Sequence, residues 1–237
     1  MNAGPPRVWP AVMVHRWSWI SFLHWRYEPA RVEALLPRGL EVETFDGSAW
    51  VGITPFLLSL RTPGLPYPRA MTDVPEMNVR TYVRGPEGLS GIWFFSLDLG
   101  RLPAVIGARA TYGLPYYWAE FKVQAGERLC RYRARRVWPP PAAATEATVE
   151  VGESVGGGAE GELADFLTAR WRLFTLMGGS LWQATVAHPR WPLRTARAAA
   201  WETTHLSAAG LPSPLESPLA HWSSGVEVRV GPPLPAG

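Results

Sequence analysis

The chain has 237 residues and carries 23 basic and 20 acidic side chains, so its formal net charge is only +3. A hydrophobic content of 47% with 18% charged residues predicts a globular chain with a sizeable core and argues against disorder. The single cysteine excludes an intramolecular disulfide, and no apolar run approaches the ~18 residues that a membrane span needs. We therefore expect a cytoplasmic protein that does not cross a membrane.

The N-terminal hundred residues are predicted to form strands joined by turns. Residues 1–12 form a loose, proline-containing lead-in, and EPARVEALLP at 28–37 has the apolar spacing of a short helix. The Asp46-Gly47 pair is a strong hairpin signal. The segment 61–75, which carries four prolines, is predicted to be a long surface loop. Aromatic and β-branched runs predict strands over 18–27, 40–45, 48–60, 77–85 and 89–99.

The rest of the chain continues this pattern with three more helical segments. Helices are predicted over 102–113, at the start of 162–174 and over 193–200. Strands are predicted over 116–124, 127–137, 147–155, the end of 162–174, 181–191, 201–207 and 225–230. Because helices do not alternate regularly with strands, a doubly wound parallel sheet is disfavoured. We predict one α+β domain over 1–237, with a mainly antiparallel curved sheet or barrel, a few short helices and a C-terminal tail at 232–237.

The signatures of nucleotide-binding P-loops and of zinc peptidases are absent from the sequence. It contains no P-loop or HExxH motif, and its five histidines are not at metal-ligand spacing. We expect no cofactor and no metal site. The most basic stretch, RLCRYRARR at 128–136, alternates so that Arg131, Arg133 and Arg135 fall on one face and Tyr132 falls on the other. Single-stranded nucleic-acid sites place aromatics among the basic residues, so no nucleic-acid partner is expected.

Two stretches concentrate polar side chains beside apolar ones. In VPEMNVRTYV, residues 74–83, strand alternation places four polar side chains on one face: Glu76, Asn78, Arg80 and Tyr82. This face is either exposed to solvent or lines the interior of a barrel, where carboxylate, amide and guanidinium groups would bind a polar ligand. The second stretch, GARATYGLPYY, places Arg109 near the end of a helix and Tyr116 and Tyr117 after a proline.

Six segments, in order along the chain, resemble the YqjF-like family of uncharacterised proteins, domain of unknown function 2071. They are LLPRGLEVETFDGSAWVGITPF, PEMNVRTYV, GIWFFSLDL, ARATYGLPYYWAEF, FLTARWRLF and HPRWPL. The resemblance runs from about residue 14 to 231. That family is in turn more distantly similar to acetoacetate decarboxylase. The resemblance implies a curved antiparallel sheet wrapped into a barrel, and it also implies association into a homo-oligomer.

The resemblance implies that imine chemistry is missing. The decarboxylase pattern is roughly Gly-Arg-x-x-x-aromatic-Pro-Lys-Lys, and its two lysines fall on Tyr116 and Tyr117, although Arg109 matches its arginine. A phenol cannot form an imine with a ketone. The single lysine, Lys122, is six residues beyond Tyr116, or about 20 Å along a strand. Acetoacetate decarboxylase activity is therefore disfavoured, and Glu76 lies roughly where that enzyme carries an acidic pocket residue.

Three functions remain open, and whether the protein is an enzyme is among the open questions. The first is the binding of a small carboxylate or other polar molecule in a barrel cavity, with ligand-binding residues Asn78, Arg80, Arg109, Tyr117 and His188. The second is a lyase, isomerase or hydrolase without a Schiff base, in which Glu76 is the base and Tyr116 or His188 is the acid. The third is a structural or interaction protein with a vestigial pocket. For two single residues a structural role is expected before a site role: His188 would cap a turn, and Arg170 would form a buried ion pair.

Overall fold

Fourteen strands and four short α-helices form the computed structural model, which describes residues 5–237. The strands are β1 Met13–Tyr27, β2 Glu41–Val42, β3 Thr44–Phe45, β4 Ser48–Arg61, β5 Val74–Arg84, β6 Ser90–Leu99, β7 Tyr116–Gln124, β8 Leu129–Trp138, β9 Ala144–Ser154, β10 Arg172–Met177, β11 Ser180–Ala187, β12 Leu193–Thr203, β13 Leu219–Val230 and β14 Leu234–Pro235. The helices are α1 Pro29–Glu33, α2 Leu102–Tyr112, α3 Ala159–Thr168 and α4 His205–Ala208. Single 3-10 turns lie at Arg69–Met71 and Pro86–Gly88.

The mainly antiparallel α+β class is confirmed, and most predicted elements are present. The long loop is found at 62–73, interrupted only by its 3-10 turn. Of the predicted lead-in, residues 5–12 have no regular structure, while residues 1–4 lie outside the described residues. The C-terminal tail contributes a short strand, because β14 pairs with β11.

The predicted helix over 193–200 is wrong. This alanine-rich segment is the first part of β12, which pairs with β9 on one side and with β13 on the other. Two long antiparallel partners outweigh the helix propensity of alanine, which is a weak local preference. The predicted strand over 201–207 is correspondingly shorter, since β12 ends at Thr203 and α4 follows.

The strands form one continuous sheet that closes on itself twice. The packed ring runs through β6, β7, β8, β9, β12, β13, β1, β4 and β5, and it closes because β5 pairs with β6. The cavity ring runs through β6, β10, β11, β13, β1, β4 and β5, and it closes through the β11–β13 pairing. Five strands are therefore shared, and each presents one face to each ring. The β6–β7 and β6–β10 pairings are parallel.

The packed ring holds the largest apolar core. Its interior is filled by side chains that alternate along the shared strands, including Leu23 of β1, Ile53 of β4 and Met77 of β5. These three side chains are at most 1% exposed. Since successive strand residues point to opposite faces, the remaining residues of the same strands face the cavity ring.

Helix α2 covers the cavity ring, and its ends are set by local chemistry. Pro103 lies in the first turn, where a missing backbone N–H costs nothing. Gly113 ends the helix in a left-handed conformation with a φ of 62°, and its N–H donates to the carbonyl of Arg109. A Cβ at Gly113 would lie 2.5 Å from the carbonyl oxygen of Leu176. Both backbone conformation and close packing therefore require glycine there.

Candidate functional site

A cavity of about 490 Å³ occupies the cavity ring. Its walls are mostly apolar, and its polar side chains come mainly from β5 and from the segment that follows α3. The apolar lining includes Trp17, Ile20, Phe56, Leu58, Leu60, Phe94, Leu97, Leu99, Leu173, Val186 and Trp191. The polar lining includes Thr54, Glu76, Asn78, Arg80, Tyr116, Thr168, Arg170 and His188. A concave apolar pocket with a few convergent polar groups is typical of a small-molecule site.

Strand β5 supplies the central polar array of the cavity. Glu76, Asn78 and Arg80 line the cavity, while the alternate residues Met77 and Val79 pack in the core of the other ring. The three polar side chains are only 4%, 4% and 6% exposed. The first of the two interpretations of this stretch, a solvent-exposed face, is therefore wrong, and the array lines an interior space.

Arg80 is a buried cation without a carboxylate partner. Its Nη2 donates to the carbonyl of Leu167 at 3.3 Å, and its guanidinium lies 5.3 Å from the ring centre of Phe22. Its Nε has no hydrogen-bond partner, and no acidic side chain of residues 5–237 forms an ion pair with it. A buried charge is costly unless it is paired and hydrogen-bonded. The free side of this guanidinium is therefore suited to an anionic ligand group.

Two neutral polar atoms beside Arg80 also lack partners. Thr54 of β4 lies directly opposite Asn78 of β5 in the strand register. The Oγ1 of Thr54 and the Oδ1 of Asn78 are buried without a hydrogen bond. Buried polar atoms in folded proteins are nearly always bonded to protein, water or ligand. Thr54, Asn78 and Arg80 together form the polar floor of the cavity.

Glu76 and Tyr116 form a second polar pair. The hydroxyl of Tyr116 lies 3.4 Å from both carboxylate oxygens of Glu76. Burial raises the pKa of Glu76 to about 8, the Tyr116 hydrogen bond opposes this rise, and the negative charge of Asp98 adds to it. Burial and the neighbouring Glu76 raise the pKa of Tyr116 well above its usual value. Near neutral pH the pair is therefore largely protonated and uncharged.

His188 also lines the cavity, at the end of β11. Its Nδ1 lies 2.7 Å from the carbonyl oxygen of Pro189, and its Nε2 lies 3.0 Å from that of Arg170. Burial lowers the pKa of His188, although the two carbonyl contacts oppose the change. The neutral ring carries one N–H and donates to only one of the two carbonyls. Both the turn-capping interpretation and the cavity position hold for this residue.

Two expected site residues lie outside the cavity. Arg109 is exposed on α2, and its Nη1 donates to the backbone carbonyl of Tyr116 at 2.8 Å, so it supports the segment without facing the cavity. Tyr117 faces the packed ring, where the guanidinium of Arg136 lies 3.6 Å from its ring centre. Adjacent strand residues point to opposite faces, so Tyr116 and Tyr117 cannot both line one cavity.

Lys122 is exposed on β7 and is not among the residues that line the cavity. It lies opposite Arg133 of β8 in the strand register. The only primary amine carried by a side chain of this sequence is therefore far from the polar floor.

The sequence analysis does not single out Thr54, and it assigns Arg170 only to a buried ion pair. Thr54 is the one polar side chain in the buried run VGITPFLL of β4, and that is the signal that could have identified it. Arg170 forms the predicted buried ion pair, with Glu43, but it also contacts the cavity. Within residues 5–237 no group of three His, Cys, Asp or Glu side chains is placed to hold a metal ion. None of the described helices has the length and apolar character needed to span a membrane.

The sequence matches the model of a family described as an uncharacterized conserved protein, domain of unknown function 2071, over residues 14–227. The chain belongs to this family. It is also 34% identical over 230 residues to the uncharacterized protein YqjF of Bacillus subtilis (strain 168), with 96% of this chain and 93% of YqjF covered. The resemblance drawn from the six sequence segments is thus confirmed.

Solved structures of acetoacetate decarboxylase-like proteins share the fold. The enduracididine biosynthesis enzyme MppR, with HEPES buffer bound, superposes with a TM-score of 0.65 at 16% identity, covering 99% of this chain and 96% of that one. Acetoacetate decarboxylase from Legionella pneumophila subsp. pneumophila str. Philadelphia 1 gives 0.62 at 15% identity, with 99% and 92% covered. An acetoacetate decarboxylase-like enzyme from Sphingomonas wittichii RW1 gives 0.61 at 14% identity, with 96% and 94% covered. At these identities the likeness shows the fold alone.

Proposed function

We propose that the protein binds a small carboxylate or related polar molecule in the cavity ring, without forming a Schiff base. The observation that carries this proposal is the buried guanidinium of Arg80, which faces the cavity with no carboxylate partner. Asn78 and Thr54 would complete the hydrogen bonds to the anion. Because burial keeps Glu76 largely protonated at neutral pH, it does not neutralise Arg80, and the cavity favours a negative ligand group.

Calorimetric titration with acetate and pyruvate tests this binding. Pyruvate is a reasonable probe because MppR, which shares the fold, is described as complexed with pyruvate. We expect Arg80→Met to weaken binding at least about tenfold, since hydrogen bonds to charged groups are the strong ones. Arg84→Met is the matched control, because Arg84 lies on the same strand but is exposed and paired with Glu43. Equal affinities of the wild type and Arg80→Met would contradict the proposal.

The absence of imine chemistry has its own test. The protein would be incubated with acetoacetate and borohydride and then examined by intact mass spectrometry. We expect no added mass, because Lys122 lies outside the cavity lining and Tyr116 cannot form an imine. An adduct mapped to Lys122 would overturn this part of the proposal.

A second candidate function is proton transfer at a carbon next to a carbonyl, and the Glu76–Tyr116 pair favours it. A carboxyl group with a pKa of about 8 is suited to accept and return a proton near neutral pH. The ionised Glu76 would take the proton as the C–H bond breaks, and the electron pair would move to the carbonyl oxygen. Deuterium uptake into the methyl group of pyruvate, followed by NMR, should fall in Glu76→Gln while calorimetric affinity is kept. If wild type shows no deuterium uptake above the uncatalysed rate, the proton-transfer function is rejected and ligand binding is the only proposal that remains.

Two further proposals concern the oligomeric state of the protein and its binding to nucleic acid. Association into a homo-oligomer follows only from the family resemblance, and light scattering on the purified protein would test it. The weakly basic surface is proposed not to bind nucleic acid, which a mobility-shift measurement with single-stranded DNA would check.

A further inference from the structure

The cavity is much larger than a three- or four-carbon acid requires. Its volume is about 490 Å³, whereas one water-sized group occupies roughly 30 Å³ in the liquid. The space therefore accommodates at least roughly 15 such groups. Pyruvate or acetoacetate, with six or seven heavy atoms, would fill only about half of this space by the same measure and would leave the rest unoccupied.

Polarity is distributed unevenly along the cavity. The strand register places Thr54 opposite Asn78 and Phe56 opposite Glu76, and Leu58 lies opposite Val74. The inward-facing residues of β4 beyond the polar floor, Phe56, Leu58 and Leu60, are all apolar, while β1 contributes His15 opposite Leu60.

Exposure follows the same direction. The polar floor is buried, with Thr54 at 0% and Arg80 at 6% exposure. The mouth lies under α2, where the lining residues Pro103, Gly107 and Thr111 are exposed. A ligand held at Arg80 would therefore point its remaining atoms along the apolar wall toward solvent. Arg80 and Val74 are six positions apart on β5, a distance of about 20 Å in an extended strand.

Helix α2 leaves this upper space open. Three of the residues that it contributes to the lining are small: Ala104, Gly107 and Ala108. A Cβ at Gly107 would meet no atom within 4 Å. Small side chains therefore border the space under α2, and they leave room for the body of a ligand.

We infer that the ligand is an amphipathic acid, with a carboxylate bound at Arg80 and an aliphatic or aromatic body that fills the apolar upper cavity. This inference rests on the proposed function, since it assumes that Arg80 binds the carboxylate. It narrows the ligand class from small polar acids to acids that carry an apolar body.

Calorimetric titration with straight-chain acids, from acetate to decanoate, tests the inference. Each methylene that becomes buried is expected to tighten binding by about fourfold, until the chain reaches the mouth. Decanol, which has no carboxylate, should bind more weakly than decanoate. A flat series, or tightest binding of acetate, would overturn the inference.

Matched variants locate the effect in the cavity. Gly107→Leu adds a side chain to the open space under α2 and favours the helix, so it should weaken decanoate by about tenfold or more and leave acetate unchanged. Ala110→Leu is the control, because Ala110 is exposed on the same helix and does not line the cavity. Equal decanoate affinity in both variants would place the chain elsewhere and contradict the inference.

The outcomes separate this inference from the proposed function. Acids that depend on Arg80 but not on chain length would support a carboxylate site and reject the amphipathic ligand. If every acid binds wild type and Arg80→Met with the same affinity, the proposed function is rejected, and the inference is rejected with it.

Discussion

Arg136 and Arg80 are both buried, one in each ring, and their surroundings differ. Arg136 donates from Nε and Nη2 to the two carboxylate oxygens of Asp98 at 2.8 and 2.9 Å, and Tyr117 covers it. Arg80 donates one hydrogen bond, to the backbone carbonyl of Leu167, and it lines the open cavity. Both cations are withdrawn from water, but only Arg136 receives its counter-charge from the protein.

The difference separates a structural charge from one available to a ligand. Burial alone would raise the pKa of Asp98, but Arg136 and His205 hold it below its usual value, so the pair is ionised and satisfied. Such a closed pair has no capacity left for a ligand. Arg80, by contrast, has a donor without a partner, and it lies in the cavity ring, whose interior is not filled by side chains.

Breaking the closed pair should have the largest effect on stability. Asp98→Asn leaves Arg136 buried without a counter-charge, and we expect a loss of about 3–5 kcal/mol in the free energy of unfolding. Urea denaturation followed by tryptophan fluorescence measures it. Glu146→Gln is the control, because its pair with Arg133 is exposed and should cost less than about 1 kcal/mol. Equal losses in the two variants would contradict the distinction between closed and exposed pairs.

Apolar side chains in the two rings should also respond differently. Met77→Ala, in the packed ring, should cost about 2–5 kcal/mol, since it opens a void in a filled core. Leu58→Ala, in the cavity wall, should cost less, about 1–2 kcal/mol, because that side chain already borders open space. The same denaturation measurement compares them, and a larger loss in Leu58→Ala would show that the cavity is closed in solution.

Strand alternation explains how much of this comparison could be predicted from the sequence. The pattern of 74–83 correctly placed Glu76, Asn78 and Arg80 on one face, and burial of that face was one of two stated outcomes. The same rule places Tyr116 and Tyr117 on opposite faces. The alignment of both tyrosines with the two lysines of the decarboxylase pattern does not take this alternation into account. Strand alternation alone therefore predicts which face of the sheet each of these side chains lies on, and the family resemblance misassigned Tyr117.

Long-range pairing was not predictable in the same way. Thr54 meets Asn78 only because β4 and β5 pair in a register that the 62–73 loop does not dictate. The segment 193–200 forms a strand because it pairs with β9, whose residues are forty or more positions away along the chain. The second closure of the sheet depends on β11 meeting β13 over two residue pairs, and no local pattern specifies that contact.

Glu76 gives a smaller, pH-dependent effect. Its pKa of about 8 lies above its ordinary value of 4.5, so the folded state binds the proton more tightly than the unfolded state. The resulting stability is complete below pH 4.5 and is lost as pH rises toward 8, at no more than about 1.4 kcal/mol per pH unit.

The measurement compares wild type with Glu76→Gln by urea denaturation between about pH 5.5 and 7.5. Wild type should lose up to about 2–3 kcal/mol relative to the variant over this range. Burial lowers the pKa of His24 and His188, which stabilises the fold toward higher pH, and the comparison cancels that opposite trend. Parallel curves would show that Glu76 does not titrate in this window.

Removing the unpaired cation should change stability least of all. Arg80→Met loses the hydrogen bond from the charged guanidinium to Leu167, worth about 1.5–3 kcal/mol, but it also removes the desolvation cost of a buried charge, which is at least as large. We expect the free energy of unfolding to stay within about 1 kcal/mol of wild type or to rise. Arg136→Met is the comparison, and it should lose at least about 3 kcal/mol because Asp98 would remain buried without its guanidinium partner. A large loss in Arg80→Met would mean that the guanidinium stabilises the fold, and the contrast between the two rings would then fail at the residue to which we assign ligand binding.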